Sequence, residues 1–347
     1  MYTDIPIWLS ILFVIGGLYL VAKSANVFID SASAVATALG VNPFIIGMVV
    51  IGFGTSAPEL CVSAMSGISG HSDMSLGNAY GSCSFNIALI LGVATVIRPL
   101  VVKPSVSFVA VPVLLGITIF SCLLVGYGEG SFSRTEGLLS LGVFAVLLPL
   151  YCWYDKEQGE KNRDRRQRRI LNQGTAKAEP EKQRRSLVLS FVLLVLGLGG
   201  LVGSSHVLVW GAVDLARTIG VSELLIGLTI IAAGTSLPEL ASAVVSARRG
   251  EHDFVLGNII GSNLFNTLAV VGLAGLISPF KNVSPYILTR DLPTLLLFSL
   301  SIAFFGLNFK NIRRPGRINR LEGALWVVSF LVYLGIMLYQ ECGRIPG

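Results

Sequence analysis

The chain has 347 residues, of which 53% are hydrophobic and only 13% charged, with a mean hydropathy of +0.73. A soluble domain is about a quarter charged, and 17 of the charged residues here crowd into positions 155–185, so the rest of the chain is more apolar still. That excludes a soluble enzyme, a disordered chain and a nucleic-acid binder. It leaves an all-α polytopic membrane protein, because the apolar runs are continuous where an outer-membrane barrel would alternate.

A membrane helix needs about 20 mostly apolar residues. Ten runs qualify in chain order: 7–22, 44–66, 82–101, 106–126, 136–154, 187–211, 224–247, 259–279, 285–308 and 322–340. The first and sixth are expected to continue as long tilted helices to near Leu39 and Ile219. With the N-terminus outside, 21 Lys and Arg fall on the cytoplasmic side and 5 on the other, the bias expected of ten spans with both termini outside. The chain then divides into a first transmembrane half (1–154), a basic cytoplasmic linker (155–186) and a second transmembrane half (187–347). The linker, with its run Arg163 to Arg169, is expected to be solvated and to pin the topology; its charge says nothing about a substrate. The five cysteines form no CxxC pattern and His occurs only at 71, 206 and 252. No cofactor, nucleic acid or obligatory protein partner is expected, only the lipid bilayer.

Residues 47–92 align without a gap on 227–272, with 19 identities in 46 positions at a constant offset of 180. Gly54-Thr55-Ser56 recurs as Gly234-Thr235-Ser236, Pro58-Glu59-Leu60 as Pro238-Glu239-Leu240, Leu76-Gly77-Asn78 as Leu256-Gly257-Asn258, Gly81-Ser82 as Gly261-Ser262, and Phe85-Asn86 as Phe265-Asn266. The copies begin five crossings apart, an odd number, so they face opposite ways: two inverted five-helix repeats. Their loops agree. Residues 69–73 lack Lys and Arg, whereas Arg248 and Arg249 mark the equivalent loop as cytoplasmic. Inverted halves with a site between them at the midplane are the design of many secondary transporters.

Glu59 and Glu239 are the sharpest signal. Each lies near the middle of an apolar span, where a charge costs at least ~2.5–3.5 kcal/mol on insertion scales. A basic partner, protonation or a bound cation could compensate, and Lys23 and His206 are the only basic candidates near the spans. The neighbours favour a cation. Thr55 and Glu59 are four apart and share a helix face, as do Thr235 and Glu239, Ser82 and Asn86, and Ser262 and Asn266. All are oxygen donors. Pro58, Pro238, Gly52, Gly54 and Gly234 loosen the helices and would free carbonyls toward the centre. Such a set suits a hard cation such as Ca²⁺; the sulfur or imidazole that Zn²⁺ or Cu⁺ would want is missing from the motif.

The segments Gly54-Thr-Ser-Ala-Pro-Glu59 with Gly77 to Asn86, and Gly234-Thr-Ser-Leu-Pro-Glu239 with Gly257 to Asn266, resemble the α-1 (about 40–92) and α-2 (about 220–272) repeats of sodium/calcium exchangers, in the calcium/cation antiporter superfamily. The ten-span plan extends the resemblance over nearly the whole chain, and it looks most like the bacterial inner-membrane calcium/sodium antiporters. The resemblance implies that Glu59, Glu239, Thr55 and Thr235 form a central Ca²⁺ site. It further implies that the hydroxyls of Ser56, Ser82, Ser236 and Ser262 and the carbonyls of Gly52 and Ala232 serve flanking Na⁺ sites, and that Asn86 and Asn266 are the midplane pair. Some relatives, including potassium-dependent exchangers, carry Asp at the position of Asn266; the Asn argues against K⁺ co-transport. Cys83 stands where Asn often follows Ser82.

The expectation is therefore a secondary antiporter, not an enzyme, exchanging Ca²⁺ for Na⁺ across a bacterial inner membrane by alternating access, with both termini periplasmic. The alternative is an H⁺-coupled Ca²⁺/cation antiporter using the same glutamates. A channel usually builds its filter from a ring of subunits, whereas this chain carries its own two-fold site; a membrane protease would show HExxH or paired membrane Asp residues, and neither is present in these spans.

Overall fold

The computed structural model describes residues 6–69, 72–127, 131–173, 186–220, 230, 232–280, 283–309 and 311–342. The helices are α1 (Ile7–Leu39), α2 (Pro43–Thr55), α3 (Ala57–Ile68), α4 (72–97), α5 (106–127), α6 (Arg134–Gln173), α7 (Leu187–Thr218), α8 (Ala232–Thr235), α9 (Leu237–Arg249), α10 (His252–Ile277), α11 (Ile287–Gly306) and α12 (Arg320–Cys342). Two three-residue strands, β1 (Leu100–Val102) and β2 (Gly316–Ile318), pair antiparallel.

Local chemistry sets the breaks. α1 ends on Gly40 in the left-handed region at φ 64°, and α2 restarts under an Asn42 side chain that accepts from the Phe44 amide at 3.1 Å. Pro58 and Pro238 sit in the first turns of α3 and α9, where a missing N–H does least harm. Neither proline can donate to the carbonyl four residues back, so each helix breaks at the serine before it, Ser56 (φ −83°, ψ 3°) and Ser236 (φ −92°, ψ 9°). The first break bends α2 against α3 by 44°.

Among the described residues eight helices are long and apolar enough to cross a membrane, and the bent α2–α3 pair makes a ninth. The expected run 224–247 lies partly outside the described residues; its described part is α8 and α9. α1 and α7 are long, as expected. Two starts differ. α4 begins at residue 72 and α10 at His252, well ahead of the apolar runs at 82 and 259, and among the residues in between Ser75, Gly257 and Asn258 are buried by other helices rather than by lipid. α6 also runs on, helical as far as Gln173, into the basic segment expected to be a linker.

The 180-residue offset recurs in the structure. The turns 52–55 and 232–235, the breaks at 56 and 236, and helices starting at 57 and 237 and at 72 and 252 all correspond; so do the π-helical stretches Phe85–Leu91 and Phe265–Val270. Packing is exchanged between halves: α12 lies on the end of α4, and α6 on the end of α10. β1 and β2 join residues 100–102 to 316–318, while Phe132 and Phe280 exchange two backbone hydrogen bonds of 2.9 Å, linking the halves a second time. α1 and α7 lie side by side. At Gly17 an added Cβ would come within 2.9 Å of Leu208 Cα, and at Gly197 within 2.8 Å of Phe28 N. Those are one contact made twice, since 17 and 197, and 28 and 208, are both 180 apart.

Candidate functional site

The breaks at Ser56 and Ser236 place the two glutamates one turn inside α3 and α9. Both are fully buried. The Ser236 hydroxyl donates to Glu59 Oε1 at 2.9 Å and the Ser56 hydroxyl donates to Glu239 Oε1 at 3.1 Å. The hydroxyl of Thr235 lies beside Glu59 and that of Thr55 beside Glu239. Each half thus supplies the hydroxyls that face the other half's carboxylate, which follows from the serine at each break projecting where its helix ends. The second oxygen of each carboxylate, Oε2, is buried without a hydrogen-bond partner. Among the described residues no lysine, arginine or histidine forms an ion pair with either glutamate. Lys23 instead lies 5.8 Å from the ring of Tyr19.

The other expected residues gather around this pair in part. Ser82 Oγ is 3.4 Å from Ser236 Oγ. Ser262 donates to the Gly52 carbonyl at 3.3 Å, which also accepts the Ser56 amide at 3.1 Å, so the single-residue break leaves that carbonyl engaged. Thr55 donates to the Ile51 carbonyl at 2.9 Å. Ala232 opens the short turn α8. Asn86 and Asn266 are buried at the starts of the two π-helical stretches, irregular backbone of the sort found at functional sites. Asn86 Oδ1 and both polar atoms of Asn266 have no partner among the described residues.

Four residues escaped the sequence reading of the site. Asn78 donates to the Glu59 carbonyl (3.2 Å) and to Ser63 (2.9 Å); Asn258 lies 3.5 Å from the Glu239 carbonyl and donates to Ser242 at 3.0 Å. These bonds tie the glutamate-bearing helices to α4 and α10. Their signal was available, since Leu-Gly-Asn is identical in both copies. Asn263 and Cys83 meet between the halves, which no local pattern announces. The arrangement can hold a cation: two buried carboxylates, each with a free oxygen, ringed by hydroxyl and amide oxygens in a region without a basic side chain.

The sodium/calcium exchanger protein family model matches residues 9–153 and 189–339. The chain belongs to the sodium/calcium exchanger family. It is 38% identical to the candidate antiporter CaxA of Alkalimonas amylolytica over 93% of this chain and 96% of that protein. It is 36% identical to the inner membrane protein YrbG of Escherichia coli K12 over 93% and 94%, and 29% identical to the sodium/calcium exchanger MaX1 of Methanosarcina acetivorans over 96% and 99%. Among solved structures, the sodium–calcium exchanger NCX_Mj soaked with 100 mM Na⁺ and 10 mM Sr²⁺ superposes with a TM-score of 0.78 at 27% identity, covering 95% of this chain and 99% of that one. The exchanger family consists of membrane transporters, not enzymes, and the multiple apolar helices place this member in a membrane as a multi-pass protein.

Proposed function

We propose that this exchanger moves Ca²⁺ against Na⁺ across the bacterial inner membrane, by alternating access at a site built on Glu59 and Glu239 between two inverted five-helix halves. The observation that carries the reading is the reciprocal pair of serine–glutamate bonds, which leaves one buried oxygen on each carboxylate with no partner. One Ca²⁺ or several Na⁺ would neutralise that charge equally well. The empty site, doubly charged, would be costly to close away from water, so the two ions exchange rather than leak. Thr55, Thr235, Ser56, Ser82, Ser236 and Ser262, with the carbonyls of Gly52 and Ala232, supply further oxygens, and Asn86 and Asn266 complete the centre. Ten crossings with both termini outside follow from the Lys and Arg distribution, and the exchanged packing of α6 with α10 and α12 with α4 supports a two-fold relation between the halves. α1 and α7, a pair on one side of the other helices, are the elements that slide.

The test is uptake of radiolabelled Ca²⁺ into proteoliposomes loaded with Na⁺, with K⁺ or with a pH gradient. Uptake driven by Na⁺ alone is expected, and uptake driven only by pH would replace Na⁺ with H⁺. The inversion is tested separately: a cysteine at Ser69 should react with an impermeant reagent from outside, and one at Arg248 from inside only. Reaction of both from one side would refute it.

A further inference from the structure

Positions 83 and 263 are equivalent in the repeat, and they touch. Asn263 donates through Nδ2 to the Cys83 carbonyl at 3.3 Å; the Cys83 thiol lies 3.8 Å from the Asn263 carbonyl and 3.6 Å from the Thr267 hydroxyl. Each side chain therefore offers a donor to the other's backbone, but only Asn263 has a further polar atom. Asn86 donates to its Oδ1 at 3.2 Å. That bond decides how Asn86 faces. A backbone carbonyl can only accept, so Asn263 must turn its nitrogen to Cys83 and its oxygen to Asn86. Asn86 must then present its nitrogen, and its own Oδ1 is the atom left free. Asn266, the counterpart of Asn86, would need the same brace from position 83. A thiol has no second arm to give, and neither polar atom of the fully buried Asn266 is partnered among the described residues.

We propose that Cys83 tunes the ion preference of the site by leaving Asn266 unbraced, so that one asparagine offers a fixed oxygen and the other an adjustable one. The inference rests on the two-glutamate reading of the site. Ca²⁺ gathers about six to eight oxygens, and a ligand that must be ordered on binding lowers affinity. The amide of Asn266 turns its oxygen to a divalent ion and away from it when Na⁺ takes the site, which keeps Ca²⁺ weak enough to be displaced. Cys83 is a positioning residue: it acts through Asn266 and needs no contact with the ion.

The experiment measures Na⁺-driven Ca²⁺ uptake in proteoliposomes as a function of Ca²⁺ and of competing Na⁺. Cys83→Asn supplies the missing amide oxygen and should lower half-saturating Ca²⁺ by about two- to tenfold, the gain expected from holding one side chain in advance, with a smaller change for Na⁺. Cys83→Ser loses the thiol without gaining an arm and should not produce that shift. Asn263→Cys releases Asn86 and should raise half-saturating Ca²⁺, and the double exchange Cys83→Asn with Asn263→Cys should return it toward wild type. If Cys83→Asn does not fold, Asn263→Cys decides, because unchanged Ca²⁺ dependence there overturns the proposal. So does Cys83→Ser matching Cys83→Asn. If wild type exchanges Ca²⁺, Glu59→Gln does not, and both Cys83→Asn and Asn263→Cys match wild type, the site stands and this inference falls. If wild type takes up no Ca²⁺, both fall.

Discussion

Two regions of the molecule both bring backbone against backbone and are enclosed very differently. Where α2 crosses α10, an added Cβ at Gly257 would lie 2.3 Å from the Phe44 carbonyl oxygen and one at Gly261 2.3 Å from that of Met48. Other helices surround this crossing, and the described residues of α10 from Phe254 to Val271 are nearly all buried. The α1–α7 pair also brings backbone against backbone, at Gly17, Gly197 and Gly211. Its outer side, however, is a field of exposed Ile11, Leu12, Ile15, Val188, Val195 and Leu196, as suits lipid. Close approach alone therefore does not separate the two regions; enclosure does. The pair joins the rest through apolar contacts around Phe28, Ile29 and Ile51 and through Arg249 of α9, which meets Asp30 at 2.5 Å and Asn26 at 2.7 Å.

The largest effect is expected at the enclosed region. Glu59→Gln or Glu239→Gln should leave the protein folded and abolish Ca²⁺ exchange, because the amide keeps the volume and removes the charge; wild-type-like flux in either variant would take that glutamate out of the site. Next comes Gly261→Ala, whose methyl meets a carbonyl that cannot retreat. A loss of about 1–3 kcal/mol is expected from overpacking, read as a fall in Tm in detergent. Gly17→Ala makes a milder contact, 2.9 Å from Leu208 Cα, in an open pair that can spread toward lipid, and should cost less; a loss as large as that of Gly261→Ala would show that enclosure does not distinguish the regions. Removing the partly exposed pair with Arg249→Gln should cost no more than about 1 kcal/mol while altering exchange rate, since it unties α1 from α9. The smallest effect is expected from Gly203→Ala on α7, where nothing lies within 4 Å. Ala favours a helix over Gly by about 1 kcal/mol at most, so Tm should hold or rise slightly.

Most residues of the candidate site were visible in the sequence because duplication wrote them twice. Glu59 and Glu239 declared themselves by being carboxylates in apolar runs, and the serines and threonines by recurring beside them. Asn78 and Asn258 recurred as well, yet a polar residue that braces a backbone carbonyl looks in sequence like any helix-packing amide. The starts of α4 and α10 were hidden because hydropathy measures exposure to lipid, and polar residues buried by protein, such as Ser75 and Asn258, lower it. Cys83 and Asn263 were opaque for a different reason: their meaning lies in touching each other, and equivalence in a repeat does not by itself imply contact. β1 and β2, more than 200 residues apart in sequence, carried no signal at all.

The exchanged packing of the two halves bears on how the chain is made. Synthesis delivers α6 before α10 exists, and β1 before β2, so the first half leaves the ribosome with its last helix unseated and a strand edge open. Contacts that distant in sequence form late, and a half-made chain with unsatisfied faces is prone to misassembly. The amino-terminal half should therefore be short-lived when expressed alone and rescued when residues 187–347 are supplied beside it, each fragment acting as the other's missing scaffold.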